Sequence, residues 1–285
     1  MCSGIDSRFI CDKAGGIGSV VSSVVDGGSD EKAAAKLNTL IDATNNFNGD
    51  NATWGQNYAD SLAKLKGGFQ EGAIGRQPHY DTLKDALEKS KKEGSTFKEV
   101  DTERDNVLNI LNELVPTFKD LKAYDDSKAY MNDGGAKGKE LAAKYVAQVE
   151  KFDAAYAKFN DALNKANTEQ TKKQIEKLKK DGKKGYAAAM ESTLRLTNLV
   201  ENVEKAPKNT DKQAVEKELN EIQTLLKSIN NDRGEVLVNS YNSVVGSVRQ
   251  VLNDANENNL NDMIENFNNY IESYNNTTPD QFDSK

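Results

Sequence analysis

The sequence predicts an all-α protein, a bundle of about six to eight antiparallel helices with several of them long, and three observations carry that prediction. Segment after segment places apolar residues three and four apart, the spacing that lines one face of a helix. No stretch shows the strict apolar–polar alternation of a half-buried strand. Charged residues make up 29% of the chain and hydrophobic ones 36%, low in apolar groups for a globular protein yet too apolar and too periodic for disorder; long helices washed by solvent give such a profile. At 285 residues the chain can bury a core without metal or disulfide staples.

Residues 1–28 are rich in Gly, Ser and Val and lack a helical period, so they read as an N-terminal tether. Ser29 then suits an N-cap, with Asp30 and Glu31 in the first turn. Ala33, Leu37, Leu40, Ile41, Thr44 and Phe47 follow at helical spacing; Gly49 and Asn51 are expected to end that helix, and a second face runs through Trp54, Tyr58, Leu62, Leu65 and Phe69 before Gly72 and Gly75 break it. Residues 72–95, which include Pro78 and His79, predict a loop around one short helix at about 80–89. Ser95 or Thr96 can cap the next helix, whose face is Val100, Val107, Ile110, Leu111, Leu114, Phe118, Leu121 and Tyr124, with a kink expected at Pro116.

The strongest pattern comes next. Leu141, Tyr145, Val149, Phe152, Tyr156, Phe159 and Leu163 are separated by steps of 4, 4, 3, 4, 3 and 4, which average close to the helical repeat and keep one stripe on one face. Phe152, Tyr156 and Phe159 are therefore core residues by expectation. A further long helix is expected from about 169 to 205, weakened in its middle by Gly182 and Gly185 and stopped by Pro207. Thr210 should cap the next helix with Gln213 in the capping-box position. After a turn at 230–234, two helices should span 235–253 and 258–275. Residues 29–276 thus read as a single helical domain and 277–285 as a C-terminal tail.

Several function classes are disfavoured by the residues present. With 45 acidic and 38 basic residues the net charge is −7, which argues against a nucleic-acid groove, since neutralising phosphates takes clustered positive charge. No window approaches the roughly 18–20 apolar residues needed to cross a bilayer, so any membrane attachment must come through a covalent lipid or a partner, and of these an N-terminal lipid is expected. There is one histidine, His79, and there are two cysteines; no Gly-x-Ser-x-Gly elbow, Gly-rich phosphate loop or His-Glu-x-x-His pair is present. Carboxylate pairs such as Asp125 with Asp126, or Glu201 with Glu204, fit solvated helix faces better than an acid/base pair, which needs burial to separate its pKa values. No enzyme activity, cofactor or metal is expected.

Cys2, followed by Ser3 and Gly4, looks like the first residue of a mature bacterial lipoprotein, with Met1 standing where a signal peptide would have been removed. Acyl chains on Cys2 would supply the multiple anchors that stable attachment takes; otherwise Cys2 is an ordinary thiol. Cys11 either pairs with Cys2, which lipid on the Cys2 sulfur forbids, or is a buried small hydrophobe or an intermolecular thiol. A candidate binding surface is formed by Lys172, Lys173, Lys177, Lys180, Lys183 and Lys184. Pairs from Glu169 to Lys173 and Glu176 to Lys180 would make it a solvated helix. The sharper expectation is that the lysine-rich bend around Gly182 and Gly185 meets an acidic partner: a protein, an anionic polymer or the chain's own C-terminal region, since residues 254–283 hold Asp and Glu without a basic residue.

The segment from Tyr124-Asp125-Asp126 through Ala136-Lys137-Gly138-Lys139, the pair Phe152 and Tyr156, and the closing Phe267-Asn268-Asn269-Tyr270-Ile271-Glu272-Ser273-Tyr274-Asn275 resemble the YiiG-like family of bacterial lipoproteins over roughly residues 33–276. The resemblance implies a helical protein anchored at the cell envelope through an N-terminal cysteine, and it brings no catalytic residues. Two functions are left: a non-enzymatic, lipid-anchored binding or scaffold module for another envelope component, and a ligand-binding or hydrolytic module with a pocket near residues 72–95.

Overall fold

The computed structural model describes residues 29–75, 77–94 and 97–284, with the side chains of all of these except 29–33 and 50–56. The tether, Cys2, Cys11, the proposed caps at Ser95 and Thr96, and the side chains of Ser29 and Trp54 lie outside the described residues. Ten helices and no strand occur within them: α1 (Ser29–Lys66), α2 (Tyr80–Lys92), α3 (Lys98–Asp126), α4 (Tyr130–Asp133), α5 (Ala136–Lys180), α6 (Lys184–Lys205), α7 (Lys212–Lys227), α8 (Asp232–Asn253), α9 (Glu257–Asn275) and α10 (Pro279–Phe282). Eight of them exceed a single turn, and the protein is an all-α helical bundle.

Where the sequence suggests one domain over 29–276, the contacts divide the described residues into two compact units, an N-terminal one up to Ala166 and a C-terminal one from Asn167. Each unit has its own apolar core. The N-terminal core unites Leu37, Leu40 and Phe47 of α1, Leu83 and Leu87 of α2, Val107, Leu111 and Leu121 of α3, and Tyr145, Val149, Phe152 and Phe159 of α5. Phe152 and Phe159 are buried as the stripe requires, and Tyr156 is half-buried, its hydroxyl donating to Asn48 Oδ1 at 2.8 Å. The Phe47 ring meets those of Tyr80, Phe152 and Tyr156 at centroid distances of 5.8, 5.8 and 5.3 Å, the range in which tilted ring pairs attract.

In the C-terminal core, Ile175 and Leu178 at the end of α5 meet Met190, Leu196 and Val200 of α6, Leu219 and Ile222 of α7, Tyr241 and Val248 of α8, and Phe267 and Tyr270 of α9. Connections of only a few residues join α6 to α7, α7 to α8 and α8 to α9, and each of these pairs packs together, so successive helices run antiparallel.

Three boundaries differ from expectation, each for a physical reason. Gly49 does not end α1: Phe47, Ser61 and Leu65 are all buried, and their 14- and 18-residue spacings are close to whole numbers of turns, so one face persists through the glycine. As expected, α3 continues through Pro116 as one helix; the carbonyl the proline leaves unpaired belongs to Asn112, which is exposed, as is Pro116 itself. No break separates the aromatic stripe from the lysine-rich segment, because α5 runs unbroken until Gly182, whose φ of 80° ends it. There the Lys183 N–H reaches back to the Leu178 carbonyl at 2.9 Å, the long closing bond of a left-handed helix terminus. Finally, α7 is capped by Asp211 rather than Thr210: the Asp211 carboxylate accepts from the Gln213 and Ala214 N–H groups at 2.9 and 3.3 Å, while the Thr210 hydroxyl donates to the Ala206 carbonyl.

Candidate functional site

The last turns of α5 put Lys172, Lys173, Lys177 and Lys180 on one exposed arc of roughly 140°, from the rotation of about 100° per residue. Lysine suits this position locally, since the C-terminal end of a helix carries partial negative charge. The neighbouring Lys179, about 20° outside that arc, is already paired. Its ammonium pairs with Glu191 Oε2 at 2.8 Å and with Glu176 Oε1 at 3.4 Å, and the Glu191 hydrogen bond raises its pKa. Glu176 therefore pairs with Lys179 and not, as the spacing suggested, with Lys180, and no ion pair joins Glu169 to Lys173. Among the described residues, Lys172, Lys173, Lys177, Lys180 and Lys184 have no carboxylate partner. An open hollow of about 480 Å³ lies against Lys172, Lys173, Glu176, Lys177, Lys180 and Asp181.

Beyond Gly182 the bend meets the chain's own C-terminal region. The N-cap of α6 is Lys183, a residue with no acceptor to offer, and it makes no side-chain cap. Asp283 supplies the missing group from 98 residues away, its carboxylate accepting from the Gly185 N–H at 2.6 Å and the Tyr186 N–H at 3.3 Å. Asp280 lies 3.9 Å from the Lys183 ammonium but is 93% exposed, so that pair contributes little. The segment expected as a tail is thus held: Phe282 is buried, stacked against Tyr186 and Tyr274 with centroids 5.8 and 5.9 Å away. Asn231 Nδ2 donates to the carbonyls of Gln281, Phe282 and Ser284 at 3.0–3.1 Å.

In the N-terminal unit, the region around residues 72–95 is drawn together by polar side chains. Ser61 Oγ donates to the Ala73 carbonyl at 2.8 Å and accepts from the Gly75 N–H at 2.9 Å. Gln77 accepts from the buried Tyr145 hydroxyl, and the Tyr58 and Tyr80 hydroxyls pair at 2.9 Å. Burial raises the pKa of both Tyr80 and Tyr145 well above that of free tyrosine, so these hydroxyls stay neutral. His79 is exposed at the N-cap of α2 and offers that helix no side-chain cap. No group of three or more His, Cys, Asp or Glu side chains suited to a metal occurs among the described residues. Of the carboxylate pairs, Asp126 is exposed and bonds Lys122 at 2.9 Å, as a solvated helix face does, whereas Glu201 and Glu204 are half-buried and Glu201 lies 3.8 Å from Lys205.

The sequence model of the family described as Protein of unknown function (DUF3829) matches residues 31–265. The chain belongs to that family. Its match takes in both units, including the lysine-rich end of α5 and the Asn231 cap, and stops before the Phe282–Asp283 contact. No curated protein and no solved structure gives a match. No described helix is long and apolar enough to cross a membrane.

The structure gathers the six sequence-predicted lysines along the end of α5 and the bend that follows it. The sequence offered the acidic stretch 254–283 as one partner for this bend without singling out Asp283, and it missed Phe282 and Asn231. A further signal was indirect: a helix starting at Lys183-Lys184-Gly185 with no Ser, Thr, Asp or Asn to cap it must find an acceptor elsewhere.

Proposed function

We propose that the chain is a non-enzymatic, lipid-anchored helical protein of the bacterial cell envelope that serves as a binding or scaffold module for another envelope component, an envelope protein or an anionic polymer. The observation that carries this reading is the exposed run of lysines without carboxylate partners at the end of α5, in a chain whose net charge is −7. An acidic body repels nucleic acid and anionic lipid alike, so a local basic face fits a discrete acidic partner better than it fits a membrane surface.

Attachment is assigned to Cys2, with residues 1–28 as its tether, on the strength of the Cys-Ser-Gly start and the likeness to YiiG-like lipoproteins. The test is to express the chain behind a lipoprotein signal peptide in a bacterium and to fractionate membranes with and without Cys2→Ser. The unaltered form should sediment with membranes and the Cys2→Ser form should not; equal partitioning of the two forms refutes the anchor.

A further inference from the structure

We propose that Gly185, Tyr186, Asn231 and Tyr274 form a peptide-recognition site, filled in cis by the chain's own residues 281–284 and open to the same kind of segment, an aromatic residue followed by aspartate, on a partner polypeptide. The site rests on the binding-module reading and names the class of partner.

Three kinds of contact meet there, and each reads a different feature of the occupant. Asn231 Nδ2 donates to three main-chain carbonyls, of Gln281, Phe282 and Ser284, which fixes the path of a peptide whatever its side chains. Tyr186 and Tyr274 hold the Phe282 ring between them, at interplanar angles of 15° and 26°, which selects an aromatic residue. The Gly185 and Tyr186 N–H groups at the start of α6 donate to the Asp283 carboxylate, which selects an anion one position later. Gly185 completes the fit: a Cβ there would lie 2.0 Å from the Phe282 carbonyl oxygen, so only a bare backbone lets the occupant approach.

Main-chain reading, one aromatic slot and a carboxylate cap are how proteins recognise peptide ends and short linear segments. The occupant includes the end of the single turn of α10, which is joined to α9 through residues 276–278, so its displacement unwinds no long helix. The nearby Lys183 and Lys184, with the exposed lysines at the end of α5, favour an acidic incoming segment.

A labelled peptide with the sequence of residues 277–285 tests the site in the full-length chain. With Phe282→Ala and Asp283→Ala together emptying the site, the chain should bind the peptide saturably. The unaltered chain should bind it at least tenfold more weakly, because its tethered segment competes at high effective concentration. Peptides with alanine for the phenylalanine, or with asparagine for the aspartate after it, should bind at least tenfold more weakly, and Asn231→Ala in the emptied chain should abolish binding.

An emptied chain that keeps its helical circular dichroism and binds no peptide, or binds the altered peptides equally, overturns the proposal. If the emptied chain does not fold, Asp283→Asn alone is used with amide hydrogen exchange at Gly185 and Tyr186: protection restored by excess peptide supports the site, and protection left unrestored overturns it. A dimer seen by light scattering in the unaltered chain and lost in the emptied one assigns the site to exchange between copies and overturns the partner assignment. Membrane fractionation with Cys2→Ser reads none of these contacts, so the site and the envelope reading fail separately.

Discussion

The two units build their helix ends in different ways. In the C-terminal unit, α7, α8 and α9 each begin after a residue whose side chain caps the helix: Asp211, Asn231 and Asn256. In the N-terminal unit, α2 and α3 begin after His79 and Phe97, neither of which caps with its side chain. What holds those helices is tertiary: the rings of Phe47, Tyr80, Phe152 and Tyr156, the Tyr58–Tyr80 hydroxyl pair, and the Lys91–Asp105 ion pair between α2 and α3 at 2.9 Å. The lesson is that one helical family fold can be specified locally in one half and by long-range packing in the other. The exception in the C-terminal unit is α6, whose cap comes from the far end of the chain, and that exception is where the bend and the peptide site meet.

The contrast is broken most forcefully in the N-terminal core. Phe152→Ala should cost about 3–5 kcal/mol, because the ring is almost fully buried against Phe47, Tyr80 and Tyr156. The denaturation midpoint measures it, and a near-neutral result would mean that the ring packing does not carry this unit. The caps give the sharper comparison: Asp211→Ala should cost about 1 kcal/mol, whereas His79→Ala, at a helix start without a side-chain cap, should stay within about 0.5 kcal/mol. Equal losses at the two positions would erase the distinction.

The smallest effect is set by pH. Hydrogen bonds from Arg249 and Arg195 hold the Glu216 and Glu221 carboxyls below their ordinary value of 4.5. A carboxyl whose folded pKa is depressed lends stability that is fully present above its unfolded value and is lost as pH falls through the folded one. The C-terminal unit should therefore weaken gently below about pH 4.5, the ordinary glutamate value, and Arg249→Met should flatten that slope. Both carboxylates are more than a third exposed, so solvent screens the pairs and the slope is shallow. Denaturation series at pH 3 to 6 would show it.

How much of this was legible in the sequence follows from the same contrast. The faces of α3, α5, α8 and α9, and the short α2, were readable because burial repeats at the helical period. Gly49 misled because a glycine in an open helical position, where an added Cβ would meet nothing within 4 Å, is only mildly unfavourable and does not stop a helix. Gly182, by contrast, does end one, and the difference lies in its left-handed backbone, which no spacing rule reveals. The lysine face was legible as composition, but which lysine was already paired was not, since Glu191 reaches Lys179 from the next helix. That the acidic C-terminal stretch could meet the bend was legible as charge, but which carboxylate caps α6 was not, because 98 residues separate Asp283 from Gly185.

The central claim is that recognition lies on the lysine face of the C-terminal unit. It is tested most directly by immobilising three full-length forms: the unaltered chain, a form with Lys172, Lys173, Lys177, Lys180 and Lys184 changed to glutamate, and a control with Lys119, Lys137, Lys139 and Lys144 of the N-terminal unit changed likewise. Bacterial envelope extract is passed over each, and the retained components are quantified by mass spectrometry. The account predicts a component held by the unaltered chain and by the control and lost from the first variant. Retention that is unchanged by reversing the C-terminal lysines, or lost only on reversing the N-terminal ones, would contradict it.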